Sequence, residues 1–124
     1  MPNISPEIIN ATKKIIVSIA PYLIETGEEY LSKDHGSKVK EGAFKECSIK
    51  LIGDKAGIVV NENRGDVVFL TSDYIQSYQY VMDKERTVGL KRHTYYYYNI
   101  TFKDGSKSYV RMRRKYRDAM ISHM

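Results

Sequence analysis

Between residues 5 and 31 the helical pattern is carried by Ile8, Ile9, Ile15, Ile16, Ile19, Leu23, Ile24, Tyr30 and Leu31, in steps of three, four and seven. That spacing follows the helical period and predicts an amphipathic helix. Ser5 offers a capping hydroxyl, Pro6 suits the first helical position, and Glu7 suits the positive end of the helix dipole. Pro21 interrupts the pattern, because inside a helix proline removes a hydrogen bond and clashes with the preceding turn, at a cost of about 3 kcal/mol. The expectation is a kinked helix or two shorter helices, within a helical region over residues 1–36 that ends at Asp34, His35, Gly36 and Ser37.

From residue 44 the period changes to two. Cys47, Ile49 and Leu51 alternate with Ser48, Lys50 and Ile52, and β-rich runs follow at 58–60, 67–70, 75–82, 88–92, 94–102 and 107–113. Turns are expected at 53–57, at 61–66, at the wholly charged stretch 83–86, and at Lys103, Asp104 and Gly105. After Arg114, the positions of Tyr116, Ala119, Met120 and Met124 predict a short closing helix with one buried face. The chain of 124 residues is read as a single α+β domain, 1–124, with its β-rich part at 44–124.

The last hairpin permits a register test. Its strands carry Tyr96, Tyr98, Ile100 and Phe102 on one side of the loop, Val110 and Met112 on the other. A two-residue turn would set Tyr98 against Arg111 and expose Val110 and Met112. A three-residue turn with Gly105 in the left-handed position pairs Tyr98 with Val110 and Tyr96 with Met112, and brings both apolar sets to one face. The other face then holds Tyr95 opposite Arg113, Tyr97 opposite Arg111, Asn99 opposite Tyr109 and Thr101 opposite Lys107. Tyrosine and arginine are enriched in binding hot spots, so Tyr95, Tyr97, Tyr109, Arg111, Arg113 and Lys107 form the candidate binding face. The same rings and guanidinium groups also stabilise a sheet by cross-strand contact alone.

Charge sharpens this. The formal net charge is +5, but residues 1–62 hold 8 basic and 9 acidic groups, whereas residues 63–124 hold 12 and 6. Arg111, Arg113, Arg114, Lys115 and Arg117, with Lys91 and Arg92, are the cluster suited to phosphate. One cysteine and three scattered histidines exclude a disulfide scaffold and give no metal-ligand spacing, so no cofactor is expected. No apolar run approaches the roughly 20 residues of a spanning helix, and no secretory pattern opens the chain, which places it in the cytoplasm.

Other motifs carry less. Arg64-Gly65-Asp66 spells an integrin-binding tripeptide but fits a tight turn between strands. Gly53, Lys55 and Gly57 lack the following helix that a phosphate loop requires. His93 has no indicated nucleophile or carboxylate partner, and Cys47 alternates with core positions. No catalytic set assembles, and the chain is read as a non-enzyme with no small-molecule substrate indicated.

Thr71-Ser72-Asp73-Tyr74-Ile75 entering a strand, the run 94–102 leading into Lys103-Asp104-Gly105-Ser106, and the terminal segment 114–124 together resemble bacterial pleckstrin-homology-like domains. The resemblance spans about residues 44–124. It implies a mostly antiparallel, bent and partly open β-barrel of about six or seven strands, closed by the C-terminal helix. It also implies a module that engages proteins, membranes or copies of itself. The N-terminal region lies outside that pattern and must bury its isoleucines on the sheet or against a second copy. The leading expectation is a protein-binding or assembly module acting through the Tyr and Arg face. The alternatives are a nucleic-acid-binding protein that stacks bases on those tyrosines, and a small phage or mobile-element inhibitor of a host protein. A membrane surface is the partner with least support.

Overall fold

Alternation of apolar and polar residues from Lys38 onward produces strands, and the computed structural model, which describes residues 14–28, 31 and 35–124, arranges them in one sheet. The elements are β1 (Val17–Ser18), a 3-10 turn (Pro21–Leu23), β2 (Lys38–Gly42), β3 (Ser48–Ile52), β4 (Lys55–Asn61), β5 (Asp66–Phe69), β6 (Ile75–Val88), β7 (Lys91–Phe102), β8 (Lys107–Arg113) and helix α1 (Arg114–Ser122). All pairings are antiparallel, in the order β1-β5-β4-β3-β2-β8-β7-β6.

Two expectations are overturned. The N-terminal helical region is not helical where it is described. Residues 1–13, 29–30 and 32–34 of it lie outside the described residues; between them the chain makes β1, one 3-10 turn at Pro21 and extended backbone. Pro21 sits at the start of that turn, where its missing N–H costs nothing, and Ala20 and Ile24 on either side are extended. Helical spacing of isoleucines was satisfied instead by separate burial sites. Ile15 enters the main core, while Ile24 joins Ile52, Val59 and Val67 in a second cluster.

Nor does the sheet close into a barrel. Its edges are the two-residue β1 and the 14-residue β6, which are not paired to each other. Closure would require the two edge strands to hydrogen-bond to each other along a common stagger, and two residues of β1 cannot match the 14 of β6. β6 is also interrupted by register shifts at Gln76 and Val81 and carries Asp83, Lys84, Glu85 and Arg86 in succession. These four charges, expected as a turn, lie within the strand. The reversal comes at Gly89 and Leu90, with Gly89 at φ 65 in the first turn position.

The main core gathers Val39, Ile49, Ile58, Val68, Tyr98, Ile100, Phe102, Val110 and Met112 on the inner face of the sheet. Helix α1 covers this face with Tyr116 and Met120, four residues apart and both buried. Its end is tied down by His123, whose carbonyl accepts from Ser72 N–H and whose ring lies 3.1 Å from the Asp54 carbonyl.

The tripeptide Arg64-Gly65-Asp66 does lie at a turn between strands: Arg64 and Gly65 end the turn, Asp66 opens β5, and β1 packs against it. Gly65 has φ 73, its carbonyl accepts from Ile19 N–H at 2.8 Å, and a Cβ there would lie 2.0 Å from the Ile19 carbonyl oxygen. Only glycine fits under that backbone.

Candidate interaction surface

The β7–β8 hairpin has the register that the apolar pattern requires: Tyr95 faces Arg113, Tyr97 faces Arg111, Asn99 faces Tyr109 and Thr101 faces Lys107. Phe102 N–H donates to Ser106 O at 2.8 Å across the three-residue turn, and Gly105 has φ 91. Asp104 fixes the turn by accepting from both the N–H and the hydroxyl of Ser106.

The Tyr and Arg face therefore forms, but much of it is covered. β2 meets β3 only at Lys38 and Ser48, so the far end of β3 has no β2 neighbour. The chain before β2 fills this gap: Ile24 bridges Ile52, and Glu25 N–H donates to Leu51 O at 2.9 Å. Residues 35–37 then lie over β8 and β7. Tyr95 donates its hydroxyl proton to His35 O at 2.5 Å. Arg111 donates to Gly36 O from Nε at 3.1 Å and from Nη2 at 2.6 Å, and Ser37 Oγ accepts from Arg113 N–H at 2.9 Å.

The six candidate residues consequently divide. Tyr95 and Arg111 are fully enclosed, at 0% and 1% exposure, with the guanidinium 5.2 Å from the Tyr95 ring centre. The expected contact of Arg111 with Tyr97 is thus replaced by one with the neighbouring ring. Tyr97 is buried and stacks on half-buried Tyr109, centroids 5.8 Å apart. Arg113 forms a 2.7 Å ion pair with Glu28, both largely shielded. Of the six, Lys107 alone is exposed. The expectation of an open contact face fails for Tyr95 and Arg111, which His35 and Gly36 cover, and for Tyr97, which is buried against Tyr109.

Burial tunes the groups beneath this cover. It raises the Tyr95 hydroxyl above its ordinary range, against the opposing pull of Arg111 and Arg113. It lowers His93, which faces Arg86 across the β6–β7 ladder, and the Arg113 charge lowers it further. Lys40, the extra residue in the bulge of β2, is lowered first by burial and then by Arg111 and Lys38. Lys38 itself is buried and held by Glu46 at 2.8 Å, whose carboxyl that hydrogen bond keeps low.

The basic cluster is dispersed as well. Arg111 points under the cover, Lys115 meets Glu25 at 3.4 Å, and Arg92 meets Glu85 at 3.5 Å. Arg117 pairs with Asp118 and stands 4.0 Å over the Tyr96 ring. A phosphate chain would have to compete with these carboxylates and rings.

Comparison with family models, with curated proteins and with solved structures yields no match to this chain.

The exposed surface is dominated by β6. Twelve consecutive residues beyond buried Ile75 are exposed apart from half-buried Met82. Tyr78, Tyr80 and Val81 are 38%, 51% and 41% exposed, and Leu90 at the hairpin tip is fully exposed. Tyr78 and Tyr80 rest against Tyr98 at centroid distances of 6.0 and 5.8 Å, and the Tyr80 hydroxyl donates to Asp83. On the outer face, Gln79 continues through Asn99 to Tyr109, and Ser77 through Thr101 to Lys107. Tyr109 and Lys107 therefore belong to one accessible band with the β6 edge. The sequence reading missed this edge, although a charged run directly after an alternating Tyr-rich segment is the pattern of an exposed strand. Among the described residues, no group of three His, Cys, Asp or Glu side chains is placed to hold a metal ion, and no helix is long and apolar enough to cross a membrane.

Proposed function

We propose that this chain is a non-enzymatic, cytoplasmic binding module that makes protein–protein contacts through the β6 edge and the adjoining band of Tyr109 and Lys107. The observation that carries the reading is the edge of β6, where Tyr78, Tyr80 and Val81 are exposed and which has no further strand beside it among the described residues. An exposed edge offers main-chain hydrogen bonds to an added strand, and alternate side chains give it specificity. The resemblance to pleckstrin-homology-like domains belongs to the same proposal. The antiparallel run from β2 to β8 and the terminal helix support it, while the open sheet departs from it.

Nucleic-acid binding is the weaker reading, because Tyr95 and Tyr97 are buried and offer no ring face to a base. A photo-activated cross-linking residue at exposed Gln79, compared with one at exposed Asp73, tests the choice in cells that make the full chain. Protein adducts at 79 and none at 73 support the reading. Absence of protein adducts at 79 overturns it. In that case, oligonucleotide binding that is lost with added salt would establish the polyanion alternative.

A further inference from the structure

We infer that the partner of the β6 edge is a second copy of the same chain, joined to it as an antiparallel β6–β6 pair about a two-fold axis between Val81 and Met82. This rests on the protein-binding reading above and specifies its partner.

The bulge in β6 sets which pairings are possible. A two-fold axis normal to a sheet keeps every side chain on its own face, so directly opposed residues must share a face. In a regular strand, residues whose numbers differ by an odd amount point to opposite faces. An axis between Val81 and Met82 opposes residues separated by odd steps, which a regular β6 would forbid. The register shift at Val81 reverses this. Tyr80 pairs with Tyr98 and Asp83 with Tyr96, two residues apart on β7 and therefore on one face. Likewise Gln79 and Lys84 face Asn99 and Tyr95, Tyr78 and Glu85 face Ile100 and Thr94, and Ser77 and Arg86 face Thr101 and His93. Each of these pairs shares a face, as the two-fold pairing demands.

Chemistry selects the same axis. Its aromatic half lies at one end of β6 and its four charges at the other, so antiparallel pairing sets one half against the other. Asp83 then meets Tyr80 of the second copy, Lys84 meets Gln79, Glu85 meets Tyr78 and Arg86 meets Ser77. Every pair joins a charge to a neutral hydrogen-bonding group, and no like charges meet. An axis through Lys84 or Glu85 would oppose that residue to its own copy, which is destabilising. A parallel pair would do so along the whole quartet. Charges and bulges on an edge ordinarily restrain indiscriminate pairing. Here they disfavour the neighbouring face-matched registers, which would set Arg86 against Ile75 or Lys84 against Val81, and discrimination against alternatives is how a specific interface is built. The other edge, β1, is two residues long and offers no comparable template.

The test is light scattering of the full chain over a range of concentrations, with thiol cross-linking in a Cys47→Ser background. The mass is expected to rise from 14.4 kDa toward twice that value. Tyr80→Asp places a carboxylate against Asp83 of the other copy, twice per dimer, and is expected to weaken association roughly tenfold or more. Val81→Cys beside the axis should cross-link with a short reagent. Leu90→Cys should not, since its two copies lie about 17 residue steps apart, roughly 55 Å. Far-ultraviolet circular dichroism confirms that each variant is folded. A mass of 14.4 kDa at every concentration overturns the inference, as does a dimer that cross-links at residue 90 and not at 81. A monomer that still forms Gln79 adducts with a different protein refutes self-pairing and leaves the protein-binding reading standing. A monomer without adducts refutes both.

Discussion

Arg111→Ala is the sharpest test of the covered face. Read from register alone, Arg111 stands on a solvent-facing side of β8, and truncating it with Tyr97 should leave the fold largely intact. The structure requires the opposite. Arg111 is 1% exposed and donates twice to Gly36 O, which holds the segment before β2 over the sheet. Losing a charged donor to a buried carbonyl costs about 2 kcal/mol net of hydration. Removing two buried methylenes costs about 0.8 kcal/mol each. The expected loss is therefore roughly 3.5 kcal/mol in urea unfolding. Arg111→Met, which keeps most of the stem, should lose about 2 kcal/mol. Released cover should also appear locally, as faster amide exchange at Glu25, whose N–H donates to Leu51 O, and at Leu31. A loss below about 1 kcal/mol with unchanged exchange would place Arg111 in solvent and refute the argument.

Three further outcomes follow from the same contacts. His93 is held below its ordinary value of 6.5 by burial and by Arg113, so the unfolded chain takes up its proton first as pH falls. Its contribution is complete above that value and is lost as pH falls from about 6.5 toward the lower folded value; His93→Gln should abolish this slope in urea midpoints, and a slope that persists would assign it elsewhere. Gly65→Ala sets a methyl against the Ile19 carbonyl at a positive φ and should cost roughly 3 kcal/mol in thermal or urea unfolding, with early loss of β1 protection; a neutral result would show that β1 does not sit on this turn. Tyr98→Ala empties a buried core position and should cost about 3 to 5 kcal/mol by the same assay, whereas near-native stability would contradict the hairpin register.

The β7–β8 hairpin was legible because its information is local. Gly105 dictates the turn, and the turn dictates which of Tyr97 and Tyr98 can share a face with Val110 and Met112. Helix α1 was legible for the same reason, through Tyr116 and Met120 one turn apart. The candidate face was only half legible: its residues and their pairing followed from the pattern, but its exposure did not.

Sequence by itself determined which segments alternate, where the last hairpin turns and which residues oppose each other across it, since these depend on neighbours a few positions away. Tertiary structure decided the rest. Helical spacing in the isoleucines of the N-terminal region did not make a helix between Ile15 and Glu28, because the flank of β3 left vacant by β2 and two separate apolar clusters bury those side chains in extended backbone. Residues 83–86, polar enough for a turn, became strand because β7 runs opposite them and supplies a ladder neighbour to each. Tyr95 and Arg111 went inside because His35 and Gly36, 60 and 75 positions away, present backbone carbonyls to them. Burial is a property of what comes to lie above a face, and no local period encodes that.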